Sequence, residues 1–70
     1  MYLMKLIYFD KNGLPMGSDS SKTVPGFTPG AVQEFVRKLP IPAFLGQKPS
    51  MVFVDVEGKT NVLVRLPDED

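Results

Sequence analysis

Cysteine, histidine and tryptophan are absent from this 70-residue chain, and each absence removes a class of chemistry or support. Without cysteine there is no disulfide to staple a small fold, no thiol nucleophile and no thiolate to hold a metal. Without histidine the commonest general base near neutral pH is gone, and with it the best remaining zinc ligand. Charge of one sign is also lacking. Eight Lys plus Arg balance eight Asp plus Glu, a formal net charge of zero. Such a chain has no global field to draw in nucleic acid or an anionic membrane. Long apolar runs are missing as well. The first nine residues are mostly apolar, but Lys5 interrupts them and Asp10 ends them. They lack the charged start and small-residue cleavage site of a signal peptide. Nothing approaches the ~20 apolar residues of a membrane span. The expectations are a cytoplasmic location, no membrane partner, no metal and no cofactor.

What is present is a globular composition, 43% hydrophobic. The expected organisation is one domain over residues 1–67, followed by an acidic tail at 68–70. A domain this small buries only about 60% of its unfolded surface. Without staples, its stability rests on the core or on association. Seven prolines and six glycines argue against an idealised core.

The most informative stretch is residues 50–67, SMVFVDVEGKTNVLVRLP. Two β-rich runs flank Glu57, Gly58 and Lys59, which reads as a β-hairpin. Val52, Val54 and Val56 alternate with Met51, Phe53 and Asp55, and Val62 and Val64 alternate with Leu63 and Arg65. A loop of odd length sets Val54 opposite Val62 and Val52 opposite Val64. A one-residue slip would mix the faces, so the odd loop is expected.

Upstream, residues 2–9 alternate with apolar side chains on both faces, as in a strand interior to a sheet. Asp10, Lys11, Asn12 and Gly13 form a turn. A short return strand at 14–17 is expected only at an edge, because Pro15 removes a ladder donor. Residues 17–27 read as loop, with Val24 and Phe27 available to pin it to the core. Thr28 and Pro29 then open a helix as N-cap and first residue. Val32, Phe35, Val36 and Leu39 make one apolar stripe along it, and Pro40 stops it. About 11 residues give roughly 16 Å of helix, enough to cover about three strands.

The predicted fold class is therefore α+β. It is a three- or four-stranded, mostly antiparallel sheet with one helix on one face, ordered β-α-β-β or β-β-α-β-β. One helix covers one face, so something else must cover the other. The connector 40–49 carries Ile41, Phe44 and Leu45 between prolines and a glycine. These side chains either fold back as core or stand out as a knob.

No catalytic constellation emerges. Ser18, Ser20 and Ser21 belong to a solvated polar stretch, and Asp10, Asp19 and Asp55 are too differently placed to predict a cation site. Gly58, Lys59 and Thr60 match the end of a phosphate-binding loop, but that pattern needs glycine at position 53, which is Phe. The function expected is a small non-enzymatic protein-interaction module, an inhibitor or adaptor of the kind phages and mobile elements encode. Its partner is a protein, a second copy, or both. Ile41, Phe44 and Leu45 are the expected anchor, supported by Met51, Phe53 and Leu63. The alternative is a nucleic-acid-binding module with Tyr2, Tyr8, Phe9 and Phe53 as a stacking platform beside Lys5 and Arg65.

Overall fold

The computed structural model describes residues 1–67, so the tail at 68–70 lies outside the described residues. The elements in chain order are β1 (Tyr2–Phe9), β2 (Pro15–Val24), α1 (Pro29–Arg37), a single 3-10 turn (Ala43–Leu45), β3 (Met51–Val56) and β4 (Thr60–Arg65). The strands form one sheet in the order β2-β1-β3-β4, and every neighbouring pair is antiparallel. Of the two orders the sequence allowed, β-β-α-β-β is the one adopted. β1 is interior, as its two apolar faces required. β2 and β3 run parallel to each other on either side of β1, and the helix-bearing connection supplies the crossover that parallel strands need.

The core lies on one side of the sheet. Met4, Leu6 and Tyr8 of β1, Val52, Val54 and Val56 of β3, and Val64 of β4 are buried together with Val24 and the helical Val32 and Val36. Phe35, Leu39 and Leu45 pack half-buried against them. The helical stripe is the one expected, although the helix is shorter at nine residues. The Thr28 side chain makes no cap bond; the Thr28 carbonyl accepts the Val32 amide at 3.0 Å. At the other end the Lys38 and Leu39 amides reach the Phe35 and Val36 carbonyls at 3.1 Å. These tight turns close the helix before Pro40.

The β3–β4 hairpin has the odd loop. Val54 pairs with Val62 and Val52 with Val64. Glu57 (φ 50°) and Gly58 (φ 72°) take left-handed backbone, and the Lys59 amide returns to the Val56 carbonyl at 2.8 Å. A left-handed Glu is strained, but here its carboxylate accepts the Leu3 amide at 2.8 Å, tying the hairpin tip to the start of β1.

The second strand corrects the sequence reading. β2 spans ten residues rather than 14–17, and most of the stretch read as loop is edge strand. Its sequence, PMGSDSSKTV, shows no apolar alternation because its outer side faces solvent. It also holds two irregularities. From Met4 to Leu6 the β2 partner steps from Lys22 to Asp19, and from Tyr8 to Phe9 it steps from Gly17 to Pro15. Each step accommodates one extra residue of β2, as a β-bulge does. The preceding turn is held by Asp10, whose carboxylate accepts the Asn12 and Leu14 amides at 2.8 and 2.9 Å. Gly13 alone takes the positive φ there.

Leu6 sits at the centre of the core, fully buried opposite Val54. Leu6→Ala is expected to lower unfolding free energy by about 2–5 kcal/mol, read from urea denaturation followed by far-UV circular dichroism. An unchanged midpoint would place the core elsewhere. Burial raises the Tyr8 phenol above its ordinary 10.0, and the Asp19 charge adds to the shift. Because the folded pKa is the higher, the stabilisation is fully present below about pH 10 and is lost as pH rises through the folded value. Tyr8→Phe should flatten the fall of the melting temperature across that alkaline window.

Candidate functional site: the open face of the sheet

The residues that alternate with the core point away from the helix, and register places them in rows across β1, β3 and β4. Ile7 pairs with Phe53, and Phe53 with Leu63. One row along, Phe9, Met51 and Arg65 align; on the other side, Lys5, Asp55 and Asn61. Cross-strand partners share a face and lie about 5 Å apart. Phe53 and Leu63 are 36% and 57% exposed, and Leu3 at the far end is 49% exposed. Ile7, Phe9 and Met51 are half-buried by their neighbours. Ile7, Phe9, Met51, Phe53 and Leu63 thus form one apolar surface bordered by Lys5, Asp55, Asn61 and Arg65, with Leu3 beyond the Lys5 row.

The connector leaves this surface uncovered. A Cβ built on Gly17 would stand 2.9 Å from both Leu45 Cδ2 and Phe44 Cε1. Gly17 pairs with Tyr8, whose side chain is in the core, so the connector lies on the helix side. Leu45 packs against the core, while Phe44 is 65% exposed and Ile41, earlier in the connector, is also exposed. The six expected partner-binding residues therefore do not form one patch. Met51, Phe53 and Leu63 belong to the open face; Phe44 and Leu45 lie on the opposite side, and Ile41 is exposed in the same connector.

Leu3, Ile7 and Phe9 complete the open face and were missing from that set. Their signal was the alternation of β1, which cannot say which face the helix takes. The aromatic platform also divides. Phe9 and Phe53 share the open face with Lys5 and Arg65, whereas Tyr8 is in the core. Tyr2 packs half-buried against the core and meets Phe27 edge-on at 5.0 Å. Lys59 lies 5.8 Å over the same Phe27 ring, which is how the loop after β2 is pinned.

The polar groups are occupied by local structure. Asp19 accepts the Ser21 hydroxyl at 2.7 Å and its amide at 2.9 Å, and these bonds hold its carboxyl below the usual range. Asp55 accepts the Gly58 amide at 3.3 Å, and Thr60 donates to the Phe27 carbonyl at 2.6 Å. Among the described residues no three acidic side chains gather to hold a cation. What the arrangement presents to solvent is an apolar surface with a polar border. No family model, curated protein or solved structure matches the chain.

Leu63 and Val64 are neighbours on opposite faces, 57% and 0% exposed. Leu63→Lys should change stability by no more than about 0.5 kcal/mol. Val64→Lys, which forces a charge into the core, should abolish cooperative folding. Thermal melts of the two variants check the assignment of the faces.

Proposed function

We propose that this chain is a non-enzymatic protein-interaction module that docks through the open face of its sheet, in the manner of a small inhibitor or adaptor. The observation that carries the reading is the row Ile7, Phe53 and Leu63, with Phe9 and Met51 beside it, left without intrachain cover. Contiguous apolar surface of this kind is where desolvation supplies binding energy. The polar rim fits the same role, because charges at an interface edge select orientation at small energetic cost. Phe44, on the other side, would form a separate and smaller contact.

A nucleic-acid role draws less support. Stacking needs several aromatics on one accessible plane, and only Phe9 and Phe53 share the open face. With formal net charge zero, the phosphate attraction that dominates such binding is weak.

The test is a photo-cross-linking side chain placed at Phe53, with a second at the exposed Lys38, the C-cap of the helix, as control. Irradiation in cells that make the chain should give a covalent protein adduct from position 53 and none from position 38. Adding Leu63→Asp, in the same row, should abolish the adduct. A nucleic-acid adduct, or no adduct from position 53, would sink the proposal.

A further inference from the structure

Resting on that reading, we infer that the occupant of the open face is a second copy of the chain, packed face to face about a two-fold axis. The axis runs parallel to the strands, between β1 and β3. The residues decide this orientation. Rotation about that axis lays β1 of one copy over β3 of the other while keeping each row at its own height. Ile7 then faces Phe53 of the second copy, Phe9 faces Met51, and Lys5 faces Asp55, each pairing occurring twice. Every central apolar side chain meets an apolar one. Each charge of the Lys5–Asp55 row meets its opposite.

The other in-plane axis, running across the strands, reverses the rows. It would set Lys5 on Phe9 and Asp55 on Met51, taking charges out of water with no partner, a costly arrangement. The observed register therefore singles out one two-fold arrangement. Lys5 and Asp55 are also adjacent within each chain, so the two copies would place four charges of alternating sign at one end of the interface. The carboxylate of Asp55 accepts the 3.3 Å bond from the Gly58 amide, which leaves acceptor capacity for a lysine.

The dimensions agree with a small interface. Four strands at about 4.8 Å, each contributing about five residues at a rise of about 3.3 Å, give a face of roughly 19 by 17 Å. With side-chain relief, two such faces bury on the order of 1,000 Å² in total, the lower bound for a specific interface. Sheets packed this way form a two-layer sandwich about 10 Å apart, with strands within about 30° of alignment. The zero net charge removes long-range repulsion between copies. An interface of this size predicts a dimer that dissociates on dilution.

Sedimentation equilibrium from about 1 to 100 μM spans the range in which micromolar association appears. The wild type should move from the 7.8 kDa chain towards twice that mass as concentration rises. The charge row then tests the orientation. Lys5→Asp sets carboxylate against carboxylate across the interface, and Asp55→Lys sets ammonium against ammonium; each variant alone should remain monomeric. An equimolar mixture of the two should dimerise, because every facing pair is again opposite in sign while neighbours within each chain remain like-charged. Restored mass in the mixture therefore cannot come from repair within one chain.

In the wild-type background the cross-linker at position 53 should label Ile7 of the second copy. This arm stands even where a charge variant fails to fold. A wild type that stays monomeric across the range overturns the two-fold sandwich, as does a dimer unaffected by either charge variant. If that monomer still gives a position-53 adduct to a different protein, the docking reading survives. If position 53 labels nothing, both fall.

Discussion

One nine-residue helix set against a four-stranded sheet is the constraint on which the rest of the structure depends. The helix and the connector behind it can bury one face. They do so thoroughly, since Met4, Leu6, Val52, Val54, Val56 and Val64 are fully excluded from solvent. Both pieces of covering chain are spent on that side. β1 and β3 nevertheless carry apolar residues at the alternate positions, where a sheet with one solvated face would carry polar ones. The tension between one available cover and two apolar faces produces the candidate site.

The two edges of the sheet answer that tension differently. β2 ends the sheet on one side with Pro15, two bulges and a run of serines, features that discourage further pairing along an edge. β4 ends it on the other side as a short, regular strand bounded by Gly58 and Pro67. Near its end the Arg65 carbonyl accepts Arg37 Nε at 3.3 Å, so the last turn of the helix caps part of that edge. With both edges blunted, the large side chains left exposed on the sheet, Leu3, Phe53 and Leu63, stand on its open face, which is where the proposed docking is placed.

The elements that bury a periodic stripe were legible in the chain: β1, the helix and the valine-paired hairpin. The odd hairpin loop was legible because only that register keeps Val54 and Val52 opposite valines. β2 was not, because an edge strand bulged in two places loses its period of two and reads as a polar loop. The site was half legible for a different reason. Alternation reveals that a strand has two apolar faces but not which one the helix takes, so Met51, Phe53 and Leu63 were grouped with a connector that lies on the opposite side. The one local sign of the connector's path is Gly17, the only β2 position without a side chain to obstruct Leu45 and Phe44. A glycine in a polar stretch reads more readily as a turn.

In the two-fold sandwich proposed above, Lys5 and Asp55 are what makes the contact selective rather than merely sticky. An apolar face without charge would accept partners in any orientation, and it would invite stacking of many copies. Two opposite charges in one row, register partners across β1 and β3, keep contact with water in the free molecule, Lys5 exposed and Asp55 half-buried. They become costly only when an incoming surface presents apolar groups to them. The row therefore penalises wrong arrangements more than it strengthens the right one, which is how charged groups commonly set interface specificity. Because penalty and complementarity arise from the same two side chains, the register at the centre of the sheet sets the fold's pairing and, in the proposed dimer, the orientation in which the open face is closed.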